Sequence, residues 1–290
     1  MPELPEVETV VRDLRPYLKG KVISRVDVRL PKMVKMSLRR FQRLVRGKKI
    51  VAVERRGKMI LIKLANGQTL VIHLKMTGQL IYVSKNGYKQ KGGHDIANGD
   101  KNLPNKYTHV IFKLRGSNYL YFNDLRQFGY LLLWPTDNLE KFFQEKKLGI
   151  EPFAKSFTFE YLSQALRSKK KSTIKAALLD QSIVAGLGNI YTDEALFQSK
   201  IKPMRRVKTL KNSELQLIVK NSRRVLKKAI SQRGTTIRNY RGGLGQPGGM
   251  SKHLMVYGRS GKLCLRCRKA KIKKIRLGSR SSHFCPNCQK

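Results

Sequence analysis

Met59-Ile60-Leu61-Ile62-Lys63-Leu64-Ala65-Asn66-Gly67-Gln68-Thr69-Leu70-Val71-Ile72-His73-Leu74 is a pair of short β-prone runs joined by an Asn-Gly step. Branched apolar residues suit a pleated surface, and Asn66-Gly67 suits the tight turn of a hairpin. Strands are therefore predicted at Met59 to Leu64 and Thr69 to Leu74. The same texture extends outward on both sides, with strands predicted at Val22 to Leu30, Lys49 to Arg55, Tyr107 to Leu114, Tyr119 to Asn123 and Gly129 to Trp134, and a second hairpin turn at Arg115-Gly116-Ser117-Asn118. Short strands at short intervals predict an antiparallel sandwich or flattened barrel. Between Lys85 and Asn105 a glycine-, asparagine- and lysine-rich stretch breaks the pattern and reads as a long exposed loop.

Helices flank this block. Before it, Pro5 suits the first turn of a helix, and Val7, Val10, Val11, Leu14 and Leu18 recur at helical spacing. Removal of Met1 would leave Pro2 as a secondary amine beside Glu3 at the positive end of that helix. An α-amino group is unprotonated roughly 400-fold more often than a lysine at neutral pH, an advantage partly offset by the greater basicity of a secondary amine. Such an amine can attack a sugar C1′ and form an iminium that withdraws electrons without being protonated. An ordinary amphipathic helix with an irregular start explains the same pattern. After Trp134-Pro135, helices are predicted at Asn138 to Lys147, Thr158 to Ser168, Ser172 to Gln181, Ile190 to Ser199 and Lys211 to Ser231, and Arg241 to Met250, with five glycines, reads as a mobile loop. The expected organisation is α+β and multidomain. Residues 1–135 form an N-terminal helix plus antiparallel β-sandwich, 136–250 a helical domain ending in that loop, and 251–290 a finger.

Charge selects the partner. Sixty-two Lys and Arg against eighteen Asp and Glu give a net +44 on 290 residues, with no acid after Glu214. Solubility needs far less, so a polyanion is the expected ligand, although a basic proteome or a salt-adapted host would also raise the charge. No apolar run spans a bilayer and no signal peptide is visible, which predicts a cytoplasmic protein without a membrane partner.

All four cysteines lie near the C-terminus, as Cys264-Leu265-Arg266-Cys267 and Cys285-Pro286-Asn287-Cys288 with seventeen residues between the pairs. This is zinc-ribbon spacing, in which four thiolates hold one structural Zn2+ and a hairpin that has no core of its own. Two disulfides are the alternative, with no secretion signal to favour them. Nine Lys or Arg and no acid lie between Cys264 and Lys290, so the finger is also expected to touch phosphates.

Several motifs in order now carry a resemblance: Pro-Glu-Leu-Pro-Glu-Val-Glu-Thr from Pro2, Arg56-Gly57-Lys58, His73-Leu74-Lys75-Met76-Thr77-Gly78, Asp124-Leu125-Arg126-Gln127-Phe128-Gly129, Leu179-Asp180-Gln181, Gly186-Leu187-Gly188-Asn189-Ile190-Tyr191, Gly234-Thr235-Thr236-Ile237-Arg238 and the zinc ribbon. Nearly end to end, the chain resembles the bacterial formamidopyrimidine-DNA glycosylases. The resemblance implies a bifunctional, monomeric base-excision repair enzyme that removes oxidised purines such as 8-oxoguanine from duplex DNA and cleaves the strand by β,δ-elimination. By it Pro2 is the Schiff-base nucleophile, Glu3 protonates the deoxyribose ring oxygen, Lys58 serves a flanking phosphate and proton transfer, and Arg280 on the finger hairpin completes the catalytic set by gripping phosphate. His73 faces the same phosphates. Met76, Arg126 and Phe128 fill the hole left by an everted nucleotide, Asn189 belongs to a helix-two-turn-helix, and Lys170 and Lys175 contact DNA. Gly234 to Met255 is the loop that closes over the lesion. From the residues alone, Lys58 reads as a solvated strand-end charge, His73 as a core histidine, Met76 and Phe128 as core, and Asn189 as a helix N-cap.

Two departures stand out. Tyr107 occupies a DNA-contacting position at which many relatives carry histidine, and the Lys85 to Asn105 loop is longer than usual. An endonuclease VIII-type enzyme acting on oxidised pyrimidines is the neighbouring alternative, disfavoured by Met76, by Arg126-Gln127-Phe128 and by the Gly234 to Met255 loop. A noncatalytic nucleic-acid binder would have no use for Pro2, Glu3 and Lys58.

Overall fold

The computed structural model describes residues 1–94, 101–235, 240–241 and 248–290, with the backbone alone for residues 94, 240 and 241. Residues 95–100 of the Lys85 to Asn105 stretch, 242–247 of the Arg241 to Met250 loop, and 236–239 with 242–247 of the Gly234 to Met255 loop lie outside the described residues. The chain divides into two compact units, Met1–Lys146 with Gln232–Gly249, and Lys147–Ser231 with Met250–Lys290.

In the first unit, helix α1 (Leu4–Leu18) precedes β1 (Ile23–Val28), α2 (Leu38–Val45), β2 (Ile50–Arg56), β3 (Met59–Leu64), β4 (Gln68–His73), β5 (Gly78–Val83), β6 (Lys89–His94), β7 (Thr108–Leu114), β8 (Asn118–Asp124), β9 (Tyr130–Pro135) and α3 (Leu139–Glu145), with β10 (Tyr240–Arg241) returning later. The strands make two antiparallel sheets, ordered β1-β7-β8-β5-β6-β10 and β2-β3-β4-β9. One continuous core, including Ile60, Ile72, Leu80, Phe112 and Phe122, lies between them. Each such side chain contributes about 1.5–3 kcal/mol relative to exposure. α1 buries Val7, Val10, Val11, Leu14 and Leu18 and packs on β2 of one sheet and β6 of the other.

Strand β6 corrects the long loop expected from Lys85. Lys-Gln-Lys-Gly-Gly-His has little strand propensity, but its glycines answer to packing rather than to a turn. A Cβ on Gly92 would lie 2.8 Å from Val10 Cγ2, and one on Gly93 would lie 2.4 Å from the Gly78 carbonyl oxygen. The helix therefore approaches the sheet so closely that only glycine fits. β5 and α2 also fall where no element was predicted. α2 is short and arginine-rich, with only Phe41 and Val45 buried, too few apolar positions to display a period.

The second unit holds α4 (Phe159–Leu166), α5 (Ile174–Leu179), α6 (Asn189–Gln198), α7 (Asn212–Ser231) and the finger hairpin β11 (Lys273–Leu277) and β12 (Arg280–Phe284). Thr158 and Thr173 cap α4 and α5 through their hydroxyls. α7 turns Leu215, Ile218, Val219, Val225, Leu226 and Ala229 inward onto a core with Leu178, Leu187, Tyr191 and Leu196. The finger borrows Phe197 of α6 for its small core with Val256, Cys264, Ile272 and Cys285. No helix among the described residues is long and apolar enough to cross a membrane.

Candidate active site

The first unit gathers its predicted site residues at one end of the sandwich. Pro2 and Glu3 are buried ahead of α1, under a Met1 that is 45% exposed. Glu6, one turn on, accepts the Glu3 N–H at Oε2 (2.9 Å) and the Thr235 N–H at Oε1 (2.8 Å). One buried carboxylate thus fixes both the N-terminal segment and the root of the Gly234 to Met255 loop. Gly234 is required beside it, because its φ is +79° and a Cβ would sit 2.8 Å from Glu6 Oε1. Glu6 was not among the predicted site residues. Its spacing of three from Glu3, the signature of a reciprocal helix cap, is the signal that marks it.

Gly57 and Lys58 form the two-residue turn between β2 and β3, with Arg56 paired to Met59 and Gly57 at φ +58°. Lys58 is only 6% exposed, so the solvated strand-end reading is wrong. Arg55 holds the turn by donating from Nη1 to the Gly57 carbonyl (2.9 Å) and from Nε to Glu8 of α1 (3.0 Å). Burial alone would raise the Glu8 pKa, but the hydrogen bonds from Arg12 and Arg55 outweigh it and hold the carboxyl below its usual range.

His73 ends β4 opposite Met59 and Tyr130. Burial first, then the charges of Lys75 and Lys58, push its pKa down to about 3. Its Nδ1 accepts the Lys75 N–H (3.0 Å), which leaves a neutral ring with the proton on Nε2 as a donor. His73 is half-buried rather than a core residue, as is Met76.

Asp124, fully buried, organises the next turn. It accepts the Thr77 hydroxyl and the Arg126 N–H at Oδ1 and the Gly129 N–H (2.7 Å) at Oδ2. A Cβ on Gly129 would lie 2.7 Å from Phe122. The rigid turn lifts Leu125, Arg126, Gln127 and Phe128 into solvent, with the Arg126 guanidinium 4.8 Å from the centre of the Phe128 ring. Phe128 is 54% exposed, so core packing is excluded for it. An aromatic wedge held out on a fixed loop fits insertion into a base stack. Tyr107 is half-buried, with its carbonyl accepting the Asp124 N–H (3.0 Å) and the Lys106 ammonium over its ring.

The second unit carries the other predicted residues. α5 and α6 are joined by a turn stapled by Gln181, which donates to the Leu187 carbonyl (2.7 Å) and accepts the Gly186 N–H (2.9 Å). α6 begins at Asn189 itself, and Gly188 is the N-cap. Asn189 therefore does not cap the helix, and its buried Oδ1 has no hydrogen-bond partner among the described residues. Lys170 is exposed.

Lys175 requires a correction. It is 1% exposed and donates to Asp193 Oδ1 (2.6 Å) and the Ser281 carbonyl (2.7 Å). Asp193 Oδ2 accepts the His283 N–H (2.8 Å). The ammonium is used up inside the unit and presents no open face to DNA. It anchors β12, whose first residue, Arg280, stands exposed at the hairpin tip beyond Gly278.

The four cysteines fit zinc. Their Sγ atoms all lie within 4.8 Å of one another, with Cys264 to Cys288 and Cys267 to Cys285 each 3.8 Å apart. Tetrahedral Zn–S bonds of about 2.3 Å demand S···S separations of about 3.8 Å, whereas a disulfide demands about 2.05 Å. Backbone N–H groups of Lys269 and Ala270 pull the Cys267 thiol down to about 5, toward the thiolate a metal needs. Cys264, Cys267, Cys285 and Cys288 hold one structural zinc.

Comparison with known proteins agrees region by region. Residues 1–131 match the formamidopyrimidine-DNA glycosylase N-terminal domain, 148–241 the formamidopyrimidine-DNA glycosylase H2TH domain, and 261–290 the zinc finger found in FPG and IleRS. The formamidopyrimidine-DNA glycosylase of Pelotomaculum thermopropionicum is 45% identical over all of this chain and 99% of its own, and that of Carboxydothermus hydrogenoformans 43% over all of both. Lactococcus lactis Fpg bound to abasic-site DNA superposes with a TM-score of 0.87 at 35% identity over 99% of both chains, and a mutant of the same enzyme on Fapy-dG DNA with 0.88 at 35% identity over all of both. Identity of this extent runs through the sandwich, the helical unit and the finger alike, and on that ground the chain belongs to the formamidopyrimidine-DNA glycosylase family.

Proposed function

We propose that this chain is a base-excision repair enzyme that removes oxidised purines, 8-oxoguanine and formamidopyrimidines, from duplex DNA and then cleaves the strand as a lyase. Within that reading it works as a cytoplasmic monomer on bacterial DNA. The observation that carries it is the buried Pro2-Glu3 pair, pinned by Glu6 and set at the same end of the sandwich as Lys58 and His73. The relatives bear the purine-lesion name throughout, which favours purines over oxidised pyrimidines.

Once Met1 is removed, the Pro2 nitrogen bonds to C1′ as the glycosidic bond to the damaged base breaks, and the base leaves with a proton. Glu3 delivers a proton to the ring oxygen, so the sugar opens to an iminium on Pro2. Loss of a C2′ proton expels the 3′ phosphate, and a second elimination expels the 5′ phosphate. Lys58 assists proton transfer while its charge, the neutral His73 Nε2–H, Tyr107 and, from the second unit, Asn189, Lys170 and Arg280 hold phosphates. Met76 and Phe128 replace the everted nucleotide in the stack, and Arg126 meets the orphaned partner base, offsetting a flipping cost of a few kcal/mol.

Borohydride trapping on an 8-oxoguanine duplex tests the reading. The mature chain should become covalently attached, and a chain retaining Met1, or carrying Pro2→Gly, should lose most of the product while still binding an abasic-site analogue. Full trapping by a Met1-blocked chain would remove Pro2 from the mechanism.

A further inference from the structure

The extreme charge is not spent at the catalytic end alone. Between Lys19 and Lys49 there are twelve Lys or Arg and a single acid, Asp27. This segment builds α2 and the edge strand β1 of the six-stranded sheet. Gln42 of α2 donates to the Val26 carbonyl (3.3 Å), and the Gly47 N–H to the Ile23 carbonyl (2.6 Å), so helix and edge are joined at two points. Between them opens a cleft of about 760 Å3, lined by Arg25, Asp27, Gln42, Arg43 and Arg46 among others. Asp27 pairs with Arg25 (2.7 Å). Among the described residues, Arg43 and Arg46 have no ion-pair partner, and both are exposed.

Register places this cleft well away from the candidate active site. Arg25 lies opposite Lys113, and Asp124 follows Asn123, the partner of Thr108. Five residues along β7 at about 3.3 Å each, and two strand spacings of about 4.8 Å, put the cleft about 20 Å from the turn that carries Arg126. That is more than twice the Debye length of about 8 Å at physiological salt. These arginines are therefore too well screened to steer DNA toward the catalytic end, and burial of Phe41 and Val45 accounts for the packing of α2 while leaving Arg43 and Arg46 exposed on its outer side.

We propose that the Arg25, Arg43 and Arg46 cleft is a second phosphate-backbone site that holds an additional duplex DNA segment while the catalytic end is occupied. Three guanidiniums against one carboxylate offer planar, paired donors matched to phosphate oxygens. No aromatic or aliphatic anchor lines the cleft, and its one apolar member, Val26, is buried, so it lacks the centre that a protein partner would grip. A strongly positive surface without such a centre is instead the mark of a nucleic-acid interface. Holding two segments at once would let the protein pass between them without full release.

The test uses the full-length, zinc-loaded protein saturated with an unlabelled duplex containing a tetrahydrofuran abasic analogue. A labelled undamaged duplex is then titrated in and followed by anisotropy and sedimentation velocity. A complex with two duplexes should form. Arg43→Ala with Arg46→Ala should weaken the second duplex at least tenfold and reduce the salt slope of that step by about two, while affinity for the tetrahydrofuran duplex stays the same. Alanine favours a helix at Arg43, and Arg46 is the exposed cap beyond the last turn, so α2 should persist, and Arg25→Gln on β1 gives an independent weakening. No second duplex, or one held equally well by the double variant, overturns the proposal. Tighter capture of a labelled polyglutamate than of the duplex by the saturated complex overturns the assignment to nucleic acid. Trapping on 8-oxoguanine DNA is a separate measurement, so failure here is distinguishable from failure of the catalytic reading.

Discussion

Lys175→Met separates a buried strut from a phosphate contact. Its ammonium is bonded to Asp193 and the Ser281 carbonyl at 2.6 and 2.7 Å, with 1% of the residue exposed. Removing one partner of a buried pair leaves the other charge uncompensated, at a cost of about 3–5 kcal/mol. With a urea m-value of about 2 kcal/mol per M, the midpoint for the helical unit and finger should fall by about 1.5–2.5 M. Adding Asp193→Asn removes the stranded charge yet keeps an acceptor for the His283 N–H, so the double variant should recover more than half of the loss. A surface phosphate contact behaves oppositely, with a stability change within about 0.5 kcal/mol and a salt slope of DNA binding reduced by about 0.9. The assays are urea unfolding followed by circular dichroism and DNA binding at several salt concentrations. Unchanged stability with a reduced slope would refute the strut and restore Lys175 to the DNA interface.

His73 binds a proton more weakly folded, at about 3, than its ordinary 6.5, so the unfolded chain takes up more protons between these values and stability should fall as pH drops through that window. His73→Gln should flatten this dependence, measured as urea midpoints at pH 4.5 and 7, and an unaltered dependence would place the titration elsewhere. Arg280→Ala should weaken binding across sequences and lower the salt slope by about one, whereas Arg126→Ala should mainly erase the preference for cytosine over adenine opposite 8-oxoguanine, worth roughly 1–3 kcal/mol, in cleavage assays at two salt concentrations. An unchanged cytosine preference in Arg126→Ala would confine that arginine to the backbone. Elemental analysis should find one zinc per chain, and Cys285→Ala should abolish it, loosen the hairpin seated on Phe197 and weaken DNA binding while the helical signal of α4 to α7 persists. A DNA-active preparation without zinc would contradict this.

The features legible in the sequence are those encoded over a few residues. Asn66-Gly67 and the runs beside it place the β3–β4 hairpin, the cysteine spacing places the zinc, and the apolar period of α1 places its buried face. Burial of the polar groups was not legible, because the chain atoms that decide it are remote in sequence. Lys175 is enclosed by a carbonyl 106 residues away and Glu6 by an N–H 229 residues away. β6 exists because Val10 presses on Gly92, which no strand propensity of Lys-Gln-Lys-Gly-Gly-His expresses. Phe128 looks like core by composition and is exposed by geometry, since Asp124 spends its oxygens on the turn that lifts it out. Turn chemistry, period and ligand spacing are local free-energy preferences written in the sequence, whereas desolvation and satisfaction of a charge depend on whatever the completed fold brings against it.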